Sequence, residues 1–434
     1  MALILFGADR IQFDRIAEAD RRAARSAAAH AKPNGGKGSP AMDAGQEIRY
    51  LQALGYVEFD PDAATQLRGV THVDRARVAP GYGLFTDSRR TAYLIDTDAN
   101  IIHQWDAPES IRNCEFAQLL DDGLLAMLCV NRGVIFLDWE SHVVTRVSIH
   151  AHHEIEPWKD DQVLIPVAEF HDLNGQRTVF DAIYSLSEKG EAKRLWQSWE
   201  ALDELRDHQA PHPLDQENLV LRNVRENKPW LIDDDGKGTP VFNYYHMNSI
   251  QVLPESPLGR RDRRFRAGNL LISLRNANLI AILDQDNYHV LWSWGPGELE
   301  LQHTPRMLPN GHIIIMDNGL HRGWSRAVEL DPERDEIVWE YRSSDFFTPT
   351  RGNVQRLENG NTLICEAEKG RAFEVTPDRE IVWEFWNWEI TQNSSRRLIY
   401  RFSKLPEQQV SDLVRGHGTI IRHWTAIEAA RPTS

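Results

Sequence analysis

The feature that most limits how this chain can fold is a repeated unit. A short apolar strand leads into an Asn-Gly or Asp-Gly type turn, a second strand runs to an Asp that opens another turn, and a last strand ends in Trp. The unit reads NVQRLENGNTLICEAEKGRAFEVTPDREIVWEF from Asn353 to Phe385, GNLLISLRNANLIAILDQDNYHVLWSW from Gly268 to Trp294, and GYGLFTDSRRTAYLIDTDANIIHQW from Gly81 to Trp105. Asn-Gly and Asp-Gly steps supply the positive-φ residues of tight hairpins, and a terminal Trp supplies bulk for packing between sheets. One such sheet cannot bury both faces alone, but several stacked around an axis can. Anchor positions Trp158, Leu253, Leu308 and Leu357 lie 95, 55 and 49 residues apart. The wide first gap predicts an insertion over residues 188–244, read as a long loop and lid over one mouth. The predicted fold is therefore all-β: a six-bladed β-propeller over residues 69–400. Around it the sequence predicts a flexible, helical and Pro/Gly-interrupted N-terminal arm over 1–45, a short helical segment over 46–68, and a C-terminal tail over 401–434.

At a formal charge of −15 the chain lacks the broad basic face that phosphate binding needs, so nucleic acid is not an expected partner. Arg260, Arg261, Arg263, Arg264 and Arg266 cluster in one loop-like stretch and read as a solvated loop. No stretch approaches the ~20 apolar residues of a membrane span. The apolar run Ala2–Ala8 has no basic segment before it and no clear cleavage site after it, so a cytoplasmic location is expected. Cys114, Cys129 and Cys365 show no metal spacing, and Cys129 and Cys365 read as buried small residues of a reducing compartment. The Asp-rich turns, such as Asp284–Asp286, sit where hairpins belong and lack calcium-loop spacing.

Five residues before each anchor lies the start of an innermost strand, and these equivalent positions are Glu115, His153, Asn248, His303 and Gly352. Equivalent positions in a propeller face one axial channel. His152 and His246 lie close by, with His246 on the strand face of Asn248 by the period of two. Arg275 follows in SLRNAN. Histidines, amides and one arginine around one cavity suit an anion: arginine offers a fixed fork of donors, and neutral imidazole is a nucleophile, base or donor. The same histidines, His153, His246 and His303, could instead hold zinc, although Arg275 would repel it. No nucleophile elbow, phosphate-cradling glycine loop or dinucleotide fingerprint is present, and no cofactor is expected.

PGYGLFTDSRRTAYLIDTDANIIHQW, HHEIEPWKDDQVLI and the Asn353–Phe385 unit resemble the arylsulfotransferase family from about Pro80 to Trp388. The resemblance implies a six-bladed propeller that moves a sulfuryl group from an aryl sulfate ester to a phenolic acceptor, through a sulfohistidine and without a nucleotide donor. His303 is implied as the nucleophile, with His246 and Arg275 as the other catalytic residues. His153, Asn248, His152 and Asn318 are the expected substrate-binding residues. The small-molecule donor and acceptor are the expected partners, with a homodimer as the expected assembly. The chain departs from the family pattern in having a short arm where the characterised transferases carry a larger N-terminal β domain, in the short Arg275–His303 spacing, and in Glu115. The competing readings are a metal-assisted lyase or hydrolase acting on an acidic sugar, and a non-catalytic binding propeller.

Overall fold

The computed structural model describes residues 59–60, 66–111, 113–129, 133–173, 175–208, 242–391, 395–417 and 422–423. Six antiparallel sheets follow one another along the chain. Blade two holds Cys114–Leu119, Leu125–Cys129, Gly133–Leu137 and Val143–Val147, in that spatial order. Blades four and five repeat it, from Met247–Val252 to Val290–Trp294 and from His303–Met307 to Glu336–Tyr341. The two middle strands of a blade are covered by neighbours on both faces, and they are buried on both faces rather than alternating. Leu125–Cys129 and Leu279–Leu283 are buried at every position. The outer strands meet solvent, and Val143 and Val144 are exposed.

Six apolar clusters each bridge two adjacent blades. Trp105 and Leu125 share one cluster, Phe136 and Ile165 the next, then Phe180 and Ile272, Trp292 and Val328, Met316 and Phe373, and finally Phe385 and Phe85. The last cluster closes the ring. Burying a large apolar side chain in such a cluster contributes roughly 1.5–3 kcal/mol, so the blades hold one another rather than folding separately.

The ring is closed by both flanks of the repeat region. Gly69–Val73 pairs with Ile381–Trp386 as the outer strand of blade six. Phe402–Leu405 pairs with Tyr82–Thr86 as the inner strand of blade one. This corrects the expectation of a tail from residue 401: the segment begins with an integral strand, followed by the helix Glu407–His417. Its Phe402 and Leu405 are buried in inter-blade clusters, which is why so short a strand is held.

The helical expectation over 46–68 falls mostly outside the described residues, and within it Phe59–Asp60 is instead a strand paired with Arg396–Arg397. The arm over 1–45 also lies outside them. The 188–244 insertion is not all loop. Ala192–Gln197 is the fourth strand of blade three, Leu202–Asp207 is helical, and Phe242–Asn243 pairs with the third strand; residues 209–241 lie outside the described residues.

Cys114 and Cys129 are bonded to each other, facing across the two inner strands of blade two. Adjacent antiparallel strands make residues 15 apart register partners, a proximity that a scan for metal spacing does not find. The buried-thiol reading therefore fails for Cys129 and holds for Cys365, which is free and buried. No helix among the described residues is long and apolar enough to cross a membrane.

Candidate active site in the channel

The inner strands begin irregularly. The ladder slips between Cys114 and Phe116, between Met247 and Ser249, and between His303 and Arg306. Each slip releases a residue from the sheet, and bulges of this kind re-aim side chains. The backbone is left-handed at His153 (φ 63°), His246 (φ 55°) and Thr304 (φ 47°). In blade six Gly352, the equivalent of His153, is also left-handed (φ 86°), and a Cβ there would lie 2.3 Å from the Cys365 carbonyl oxygen. A non-glycine residue held at such a φ costs of order 1–3 kcal/mol, and such residues cluster where a site needs a fixed geometry.

His303 opens the inner strand of blade five and is 2% exposed. Its Nδ1 lies 2.8 Å from Asn318 Oδ1 and 3.1 Å from the Leu301 carbonyl oxygen. The Asn318 amide nitrogen donates to the Thr348 and Arg351 carbonyls at 2.6 and 2.9 Å, which fixes the oxygen as the atom facing the ring. Two acceptors at Nδ1 place the ring proton there and leave a lone pair on Nε2. Burial and the Arg275 guanidinium push the imidazole well below its usual range, so it is neutral at pH 7.

His246 and His153 meet through their Nε2 atoms at 3.1 Å. His246 Nδ1 is 2.9 Å from the Asn243 amide nitrogen. His153 Nδ1 is 2.9 Å from His152 Nδ1, and His152 Nε2 is 3.3 Å from the Asp181 carboxylate. Burial, then Arg275, lowers His246; burial, then His246, lowers His153. Arg275 follows the second strand of blade four. Its backbone N–H donates to the His246 carbonyl at 3.2 Å and its guanidinium to Asn276 Oδ1 at 3.1 Å. Burial and the neighbouring Arg351 lower its pKa to about 10, so it remains charged at pH 7. An anion between the two arginines would relieve their repulsion.

Asn248 enters differently from expectation. It is fully buried and its amide donates to the Gln302 carbonyl at 2.7 Å, so it fixes the residue before His303. Its own carbonyl accepts from Arg401 at 2.8 Å. The zinc alternative does not have its ligands gathered: among the described residues, the one set of three or more His, Cys, Asp or Glu side chains whose ligand atoms all lie within 4.8 Å of one another is Asp138, Glu140 and His142, a mostly exposed turn away from the channel.

Next to the histidines along the chain lies a buried ionic cluster. Glu154 takes Arg401 at 2.7 Å and Arg306 at 2.6 Å. Burial alone would raise this carboxyl, but the two guanidiniums hold it below its usual range. A cavity of about 390 Å³ continues past this cluster, lined by Thr304, Glu156, Arg306 and Lys404 among others.

Sequence reading missed Arg401, Arg351, Glu154 and Asp181. Arg401 stands five residues before Pro406, the same offset that located His153 and His303, and extending the count into the supposed tail would have found it. Asp181 carries no such signal, because it lies mid-strand in blade three and reaches His152 through the fold alone.

A family model described as arylsulfotransferase (ASST) matches residues 138–388. No curated protein matches the chain. Among solved structures, a protein of unknown function from Bacteroides caccae is 14% identical over 76% of this chain and 100% of its own, with a TM-score of 0.48. A streptogramin B lyase is 11% identical over 77% of this chain and 87% of its own, with a TM-score of 0.41. Virginiamycin B lyase from Staphylococcus aureus is 11% identical over 75% and 74%, with a TM-score of 0.31.

Proposed function

Because the chain belongs to the arylsulfotransferase family, we propose that it moves a sulfuryl group from an aryl sulfate ester to a phenol in two steps, with His303 as the carrier. The observation that carries this reading is the state of His303: Nδ1 is pinned as the protonated nitrogen by Asn318 and Leu301, so Nε2 offers its lone pair beside Arg275. In the first step Nε2 attacks sulfur, the S–O bond to the aryl group breaks, and a phenolate departs. In the second a phenol oxygen attacks the same sulfur, and the S–N electron pair returns to His303. Splitting the transfer in two replaces one difficult displacement with two easier ones.

Arg275 and Arg351 supply fixed positive charge for the sulfuryl oxygens. Charge held in place before reaction, in a site shielded from water, is commonly the largest single contribution to rate. The three non-bridging oxygens of a sulfate ester offer acceptors for both guanidiniums, and the left-handed backbone at His153, His246 and Thr304 holds the surrounding groups in one arrangement. No step requires a nucleotide donor.

The test is release of 4-nitrophenol from 4-nitrophenyl sulfate, with and without added phenol, by wild type and His303→Ala. Release that depends on phenol and is lost in the variant, with the variant still folded, supports the reading. Equal release by both proteins, or none by wild type, rejects it.

A further inference from the structure

The contacts from Asn243 to Asp181 form a single file: Asn243, His246, His153, His152, Asp181, each joined to the next by one ring nitrogen or side-chain atom. A nitrogen–nitrogen contact between neutral imidazoles needs one N–H and one lone pair, so fixing any member fixes all of them. An ionised Asp181 can only accept, which puts a proton on His152 Nε2 and leaves His152 Nδ1 as a lone pair. His153 must then donate from Nδ1 and accept at Nε2. His246 donates from Nε2 and accepts at Nδ1 from the Asn243 amide N–H. Read from the other end, the Asn243 amide nitrogen gives the same answer. Both ends of the file agree on one polarity.

The carboxylate at the end of the file is unusual. Asp181 is fully buried, neither carboxylate oxygen makes a hydrogen bond among the described residues, and one of them lies 3.3 Å from His152 Nε2. A buried carboxylate oxygen without a hydrogen bond leaves a lone pair open toward His152, along which a proton can be delivered. At the opposite end, His153 Nε2 holds a lone pair that is covered by the His246 N–H, on the side of the cluster where His246 adjoins Arg275.

We propose that Asp181 and His152 are the far end of a proton relay that makes His153 the acid–base group for the phenolic oxygen; this rests on the transferase reading above. When a phenol replaces the His246 N–H at His153 Nε2, His246 is released to a sulfuryl oxygen. As the phenol oxygen attacks sulfur, its proton passes to His153 Nε2, the Nδ1 proton of His153 passes to His152 Nδ1, and the Nε2 proton of His152 passes to Asp181. The S–N bond to His303 breaks and His303 regains its lone pair. In the next donor step the three transfers reverse, and the leaving phenolate departs as phenol. One proton is taken up and one returned in each cycle, and no other reactant is needed.

Two measurements test it. The first does not depend on activity: nitrogen NMR of the wild-type protein labelled with ¹⁵N-histidine. It should show His152 and His246 protonated at Nε2 and His153 at Nδ1; a His153 protonated at Nε2 overturns the relay. The second compares phenyl sulfate, a poor leaving group, with 4-nitrophenyl sulfate, a good one. In Asp181→Asn the ratio of the two rates should fall on the order of 10²-fold, the usual size of proton assistance, because only the poor leaving group depends on it. His152→Gln, at a partly exposed position, should show the same ratio change and serves if the buried substitution fails to fold. An equal loss on both donors in folded variants would make the two residues structural and overturn the proposal. A wild type inactive on both donors would reject the transferase reading, while the protonation pattern would still decide whether the file carries the stated polarity.

Discussion

Replacing Asn318 by Asp changes the smallest number of atoms for the largest effect on His303. The acceptor 2.8 Å from Nδ1 remains, but it now carries a full charge in a buried place. Taking the centres of charge as ~4 Å apart and an effective dielectric constant of ~20, the attraction for an imidazolium is about 4 kcal/mol, or roughly three pKa units. In wild type, burial and Arg275 keep the ring well below 6.5, so its protonation should not limit the rate near neutrality. In Asn318→Asp the ring's pKa should rise by roughly that amount, and activity should fall about tenfold for each pH unit below the new value. The assay is the pH dependence of kcat/KM for 4-nitrophenol release between about pH 5 and 9. The acid limb of the variant should move up by two units or more relative to wild type. The same variant loses the donations to the Thr348 and Arg351 carbonyls, at about 1–3 kcal/mol each, so a lower melting temperature accompanies the shift. A folded Asn318→Asp protein whose acid limb coincides with that of wild type would refute the assignment of the Nδ1 proton and with it the case for an exposed lone pair.

Arg275→Ala should lower kcat by about 10²–10³ while the fold survives, measured with saturating donor. Stability should decline in acid: a histidine whose pKa is lowered on folding binds its proton more readily when unfolded, so stability is intact above about pH 6.5 and is lost as pH falls below it. The limiting slope is about 1.4 kcal/mol per pH unit for buried His303, with smaller contributions from the partly exposed His153 and His246, and denaturant titrations across that range will measure it. Glu154→Gln should destabilise by about 3–5 kcal/mol, because Arg306 and Arg401 are left buried without their shared carboxylate, as read from the urea midpoint. Cys114→Ser with Cys129→Ser should cost about 3 kcal/mol, the value for a loop of 15 residues, and reductant should reproduce the loss in wild type.

What was legible in the sequence was whatever repeats. Turn chemistry and the Trp-ended strand revealed six blades, and counting back from Leu253 and Leu308 placed Asn248 and His303 at the channel. The rest depends on partners brought together by closure. Phe402–Leu405 lacks three companion strands in sequence, so it read as a tail, although it is the inner strand of the first blade. Cys114 and Cys129 became a pair only when strand register was known. Asp181 sits in an apolar run that marks a buried strand and nothing more, and Asn248 looked like a ligand until its amide was seen to hold Gln302. Periodicity locates the positions that face a channel; which of them touch each other is decided by bulges at the strand starts.

The way the ring closes also sets when the protein can exist. Blade one has three consecutive strands by Asp106, yet its inner strand is Phe402–Leu405, and Gly69–Val73, made before any blade, waits for its partner Ile381–Trp386 in blade six. A chain emerging from the ribosome therefore holds an unfinished first blade through some three hundred residues of synthesis, and the inter-blade surface around Phe85 stays uncovered until blade six and Phe402 are made. Truncation before Leu405 should leave a gap in the barrel wall rather than a shortened tail, and productive folding must be an event that follows synthesis.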